Sequence, residues 1–241
     1  MAAVVLLLIF CFGTAALILC KVWNLNQYLV PGDCPRGVDV SHYQGEIRWE
    51  LLEEQGVSFA FIKATEGSSH LDGKFAKNWQ ASGETGILSG AYHFFSFDSP
   101  GKNQADWFME NVGSLDGRLV PAVDVEYYGD KEVHPPEKEP VVKELREYLQ
   151  ALEEHYQVKP VIYTTYKVYR RYLEGEFEEY PLWIRNVYYP PDVDLRGKWQ
   201  FWQYTDRAVL KGYEGTEKYI DLNAFGGSRE ELEGYVVGGG M

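Results

Sequence analysis

The sequence predicts an α/β fold in which strands and helices alternate and the strands close into a barrel. From Gly37 onward, short apolar runs of strand character alternate with amphipathic stretches, the pattern of a parallel sheet covered on both faces. Eight such runs fall within about 200 residues, a number that suits closure. The last third changes character, with strands separated by little helix.

The elements follow in order. Gly37–Ser41 (GVDVS) reads as a strand with Val38 and Val40 on one face and Asp39 on the other. Ile47–Gln55 fits a helix stopped by Gly56. Ser58–Ala64 (SFAFIKA) is nearly continuous in apolar residues, as a strand buried on both faces would be. Phe75–Glu84 is helical, Ile87–Phe95 (ILSGAYHFF) is the third strand, and Gln104–Val112 is a helix. Leu119–Glu126 (LVPAVDVE) is the fourth strand. Val141–His155, the best amphipathic stretch, precedes the strand Pro160–Tyr163, and Tyr166–Leu173 is again helical. Leu182–Arg185 (LWIR), Trp199–Tyr204 (WQFWQY) and Tyr219–Leu222 complete the strands. No internal repeat or low-complexity tract interrupts them.

Residues Ala2–Cys20 carry no charge. As a helix they would reach about 28 Å at 1.5 Å per residue, close to the hydrocarbon thickness of a bilayer. Met1 alone precedes them, and Thr14-Ala15-Ala16 is a weak cleavage site, so an uncleaved anchor is favoured over a removed signal. Both imply export. Val22–Arg36, with Pro31-Gly32 and Pro35, reads as a linker.

Composition narrows the function classes. The 241 residues include 23 basic and 36 acidic side chains, a formal net charge of −13. That field repels nucleic acid and anionic lipid. The three cysteines all lie within the first 34 residues, with neither zinc-site spacing nor a disulfide framework.

The chemistry concentrates at strand ends. In an extended LVPAVDVE, Ala122, Asp124 and Glu126 share one face. Two acids on one face raise each other's pKa and resist burial; in a glycosidase that same effect keeps one acid protonated for a leaving oxygen. On spacing alone, an acidic surface end and a catalytic pair are equally good readings. In a parallel barrel, however, all strand ends meet on one rim, and Asp39, Glu66, Asp124, Glu126 and Asp221 all fall there. Tyr43, Tyr92, Phe94, Tyr163, Trp183, Trp202 and Tyr204 are placed at the same level, so an acidic floor ringed by aromatics is expected, as a polysaccharide groove requires. Each aromatic taken alone is as well explained by packing. Lys63 is expected to neutralise an acid and His93 to be a hydrogen-bonded core residue.

GVDVSHYQG, FIKATEG, GAYHFF, VPAVDVE, YT-x-Y, PLWI, WQYT and the late Asp-Leu-Asn at 221–223 run in order from Gly37 to about Phe225. Together they resemble family 25 glycoside hydrolases, the Chalaropsis-type lysozymes, which are β-1,4-N-acetylmuramidases of peptidoglycan. The resemblance implies a single flattened TIM-like barrel of (β/α)5(β)3 type, here preceded by an N-terminal hydrophobic helix. It implies Glu126 as general acid, Asp124 as its partner, and Asp39 and Asp221 as the other acids of the floor. Glu66, Tyr92, Phe94, Tyr163, Trp183, Gln203 and Tyr43 would contact substrate. Arg185-Asn186 departs from the small residue usual after LWI, and Tyr128–Pro140 is a long acidic loop beside the acid.

The expected organisation is then a leader over 1–21, a linker over 22–36, a catalytic domain over 37–236 and a tail over 237–241. A monomer is expected, acting outside the cell on peptidoglycan strands, with neither metal nor organic cofactor and with membrane contact through an uncleaved leader. Two other readings stand beside it: a catalytically silent glycan-binding module, and a hydrolase of another N-acetylhexosamine polymer. Whether Asp124 is a nucleophile or orients the substrate's 2-acetamido group stays open at this point.

Overall fold

The computed structural model describes residues 25–238 apart from Arg196, together with Val4, Leu7 and Gly13. The rest of the hydrophobic leader expected over 1–21 lies outside the described residues. Among the described residues no helix is long and apolar enough to cross a membrane.

The described strands are β1 (Arg36–Val40), β2 (Glu46–Ile47), β3 (Val57–Glu66), β4 (His70–Leu71), β5 (Leu88–Phe94), β6 (Ala122–Val125), β7 (Val161–Thr165), β8 (Leu182–Arg185), β9 (Phe201–Ala208), β10 (Tyr213–Glu214) and β11 (Ile220–Phe225). Eight of them close a barrel in the order β1-β3-β5-β6-β7-β8-β9-β11 and back to β1. Neighbours are parallel from β1 through to β9. The expected all-parallel sheet needs one correction: β11 is antiparallel to both β9 and β1. The connection over 209–219 carries no crossover helix, so the chain reverses beside β9 instead of returning to the barrel's lower end.

Helices α1 (Trp49–Glu54), α2 (Phe75–Ser82), α3 (Gly101–Val112) and α4 (Lys138–Tyr156) lie on the outside, followed by α5 (Tyr166–Val168), which continues as a π turn over Tyr169–Leu173. The short α6 (Asp192–Leu195) and α7 (Arg229–Glu233) follow. Helix α4 buries Val141, Leu145, Tyr148, Leu149 and Leu152, one stripe at helical spacing, and ends where Gln157 turns left-handed at φ 57°. Gly101 lets α3 meet α4, because a Cβ there would stand 1.7 Å from the Glu144 carbonyl.

Strand alternation divides the apolar residues into two cores. Val38, Val40, Ala60, Ile62, Val123, Val125 and Ile162 face outward beneath the helices. Phe59, Phe61, Ala122, Val161, Tyr163, Trp183 and Phe201 face inward and fill the lower barrel. There the Phe61 and Trp183 rings stack at 4.8 Å, and Phe59 and Phe61 each meet Phe201 edge-on at 5.5 Å. Gly37 is inward too, and Phe59 occupies the space a Cβ would need, 2.4 Å away. Within the expected linker, Asn26 is fully buried and its amide donates to the carbonyls of Asn186 and Tyr204, both at 3.0 Å. Val30 packs beside it on Trp202 and Tyr204.

Candidate active site

Each barrel strand climbs from apolar to polar on its inward face. On β3 the inward series is Phe59, Phe61, Lys63; on β6 it is Ala122 and Asp124, continued by Glu126. Strand β7 presents Val161 and Tyr163, and β9 presents Phe201 and Gln203. Because β11 runs the other way, its acid comes first: Asp221 lies across from Asp39 in the ladder. The aromatic layer below therefore becomes the floor of a cavity of about 310 Å3 lined by Asp39, Asp124, Glu126, Asp221, Lys63 and Asp206 among others.

Of the residues singled out in the sequence, Tyr43, Tyr92, Phe94, Tyr163 and Trp183 also line this cavity. Gln203 lies just beneath it, 1% exposed. Glu66 is not among the lining residues; it accepts from Lys63 Nζ at 2.7 Å, and that ammonium sits 4.8 Å above the Phe94 ring. Trp202 and Tyr204 do not belong to the ring of aromatics: they point out of the barrel and pack beneath Val30. Their side of β9 is opposite to that of Gln203, as alternation requires. His93 is a core residue, fully buried, with Thr65 Oγ1 at 2.7 Å from Nδ1 and Gln104 Oε1 at 3.0 Å from Nε2.

Asp39 and Asp221 are held by a fixed set of donors. Asn223 Nδ2 donates to Asp39 at 2.7 Å. Gln203 Nε2 spans the two Asp39 oxygens at 3.1 and 3.2 Å and also donates to Asp221 at 3.2 Å. Tyr163 Oη donates to Gln203 Oε1 at 3.1 Å and Trp183 Nε1 to Asn223 Oδ1 at 2.8 Å, which fixes both amide orientations. The polar ends of these two aromatics are thus committed to the floor.

Burial raises the pKa of all four acids. It does so for Asp124 well above the ordinary carboxyl range, and the neighbouring Glu126 charge adds to it. Glu126 is raised by burial too, with Arg185 working against the rise. Asp221 is raised well above its ordinary value by burial and then by the charge of Asp39. Burial also raises Asp39, while the hydrogen bonds from Asn223 and Gln203 oppose it. All four shifts run in one direction, toward the protonated form, and burial is the first cause of each. One oxygen of Asp124, Oδ1, is buried with no hydrogen-bond partner in the protein.

Several lining residues carry no signal in the sequence. Asp206 lies past the WQYT run, and Glu217 and Tyr219 arrive on the β9–β11 connection. Only the reversal at β11 brings that connection over the rim. A second cavity, of about 460 Å3, shares Glu126 with the first and continues past Thr165, Arg185 and Tyr188. Glu126 therefore stands at the waist of a groove with room on both sides.

Residues 38–213 match the Glycosyl hydrolases family 25. A family 25 glycosyl hydrolase structure from Bacillus anthracis superimposes with a TM-score of 0.79 at 48% identity, covering 84% of this chain and 93% of that one. A bacterial lysozyme structure from Streptomyces coelicolor gives a TM-score of 0.77 at 28% identity, over 87% of this chain and all of that one. Among curated relatives, Lysozyme M1 of Streptomyces globisporus is 33% identical over 217 residues, 82% of this chain and 69% of that protein. An uncharacterized protein, YegX, of Escherichia coli is 38% identical over 211 residues, 84% of this chain and 73% of that protein. With the match spanning Asp39, Asp124 and Glu126 and the barrel superimposing on solved members, the chain belongs to family 25 of the glycosyl hydrolases and is a glycoside hydrolase.

Proposed function

We propose that the protein is a muramidase that hydrolyses the β-1,4 bond between N-acetylmuramic acid and N-acetylglucosamine in peptidoglycan. The observation that carries this reading is the pair Asp124 and Glu126 on one strand end, both raised in pKa by burial, at the waist of a two-sided groove. Relatives named as lysozymes supply the substrate class. Glu126 is the general acid: at the waist its proton reaches the oxygen between sugars held in the two cavities. Asp124, deeper and with its unpartnered oxygen, orients the 2-acetamido group of the sugar in the first cavity, so that the acetamido oxygen attacks the anomeric carbon. Asp39 and Asp221 form the opposite wall, with Gln203 donating to both. Tyr43, half exposed, with Tyr92 and Phe94, contacts the sugar faces, and Glu66 holds Lys63 beside Asp124. The enzyme acts outside the cell, delivered by the leader, as a monomer.

Glu126→Gln keeps shape and removes the donatable proton, so turnover on peptidoglycan falls by about 10²-fold or more while the fold survives. Reducing-end analysis of the wild-type digest is the decisive companion measurement. New muramic acid ends support this reading, new N-acetylglucosamine ends assign a different bond, and no release at all leaves a binding module. Near-normal turnover of E126Q would move the acid elsewhere, with Glu66 the next candidate.

A further inference from the structure

Thr165 is a short step between two long charged side chains. In the barrel register Val125 lies beside Thr164, and Thr165 lies beside Arg185. Glu126, Thr165 and Arg185 therefore occupy one layer of the rim, and all three line the second cavity. The small threonine is the ladder position between the strand of the carboxyl and that of the guanidinium. Arg185 is itself pinned from the next strand, with Nη2 donating to Asp206 Oδ2 at 2.6 Å and only 29% of its side chain exposed. A pinned, half-buried cation keeps its direction and is weakly screened by solvent.

We propose that Arg185, clamped by Asp206, is a positioning residue for the general acid, its fixed charge turning the Glu126 carboxyl toward the waist of the groove and setting the pH above which the acid is lost. The inference rests on Glu126 being that acid. Glu126 faces Asp124 on its own strand, Asp39 from β1, Lys63 from β3 and Tyr163 from β7. On the other side it shares the second cavity with Glu132, Lys167 and Arg170. Of the nearby cations, Lys63 is bonded to Glu66, Lys167 is paired with Glu132, and Arg170 lies 4.0 Å from Asp194. Arg185 is the foremost charge opposing the effect of burial on Glu126. It reaches the other acids as well, acting against the rise in Asp39 and in Asp221.

The sign follows directly. A general acid works while protonated, so rate falls as pH rises through its pKa. A neighbouring cation favours the carboxylate, so removing it carries that fall to higher pH. Removing Asp206 strips the cation of its counter-charge and carries the fall to lower pH.

The test is the pH profile of kcat/KM on solubilised peptidoglycan strands, measured with the full chain. For Arg185→Gln the alkaline limb moves up by about half to one pH unit. Asp206→Asn moves it down, and Arg185→Lys leaves it near the wild-type position. Limbs of R185Q and D206N that coincide with wild type overturn the proposal, whatever happens to the maximum rate, because a merely structural pair lowers rate at every pH alike. If R185Q does not fold, the direction of the D206N limb decides alone. The two readings fail separately: an unmoved R185Q limb with inactive E126Q sinks this inference only, whereas active E126Q sinks the assignment of the acid.

Discussion

Asp124 and Glu126 differ in environment more than in chemistry. Asp124 is 8% exposed and, after burial, answers first to Glu126 and then to Lys63, whereas Glu126 reaches both cavities and answers first to Arg185. Two residues apart on one strand, their Cα atoms are about 6.6–6.8 Å apart. Both therefore approach one sugar from the same side, which suits an acid with a helper better than an acid and a nucleophile on opposite faces. Asp124→Asn is expected to slow turnover by about 10²-fold without a covalent enzyme intermediate in either protein. The check is to treat wild type with a fluorinated sugar that slows deglycosylation and to weigh the product. Added sugar mass on Asp124 would make that residue the nucleophile. Asp39, Glu66, Asp124, Glu126, Asp221, Lys63 and His93 were legible as single residues, whereas Asp206 and Glu217 were not. Tyr163 and Trp183 were legible only as aromatics: that their polar ends orient Gln203 and Asn223 depends on neighbours 40 positions away in each case.

Strand β5 shows how an element splits its labour. Tyr92 and Phe94 enter the cavity, and His93 between them turns outward beneath α3 and α4, stacked on Tyr148 at 4.9 Å. Burial lowers the His93 pKa from 6.5 to about 4. A folded pKa below the unfolded one means its stabilising contribution is complete above pH 6.5 and is lost as pH falls toward 4, worth about 3 kcal/mol at most. Thermal unfolding at pH 7 and pH 4 is expected to show a larger drop in Tm for wild type than for His93→Gln. Equal drops would place the acid sensitivity elsewhere. The rim carboxyls, raised in pKa, act in the opposite sense and are common to both proteins. At this scale the sequence was least reliable where register matters: β3 pairs with β5 through an irregularity between Lys63 and Thr65, and β9 pairs with β11 through two shifts. Alternation counted along the chain does not see such shifts; Trp202 and Tyr204 were expected at the rim for another reason, their level on the strand, although alternation beside the inward Gln203 turns both outward.

For the molecule as a whole, an acidic barrel suits a glycan and repels nucleic acid. The leader Ala2–Cys20 is proposed to direct export and to stay attached as an anchor, with the barrel held a few residues away, since Asn26 is already locked against Asn186 and Tyr204. Cell fractionation with mass measurement tests this. A soluble product beginning after Ala16 defeats the anchor, and cytoplasmic protein defeats export.

By itself the sequence determined the barrel and the convergence of acids on one rim. Both follow from periodicity and from strand order, which are local properties written in consecutive residues. The acids lie above the aromatic layer, because within that layer a carboxylate would have neither water nor donors to offset its burial. Only the tertiary structure decided how those acids are held. The antiparallel turn of β11 sets Asp221 against Asp39 and carries Glu217 and Tyr219 over the cavity. The Arg185–Asp206 pair and the amide bridge of Gln203 join residues from different strands. Hydrogen bonds and fields of this kind depend on distances across the barrel, and no spacing along the chain encodes those distances.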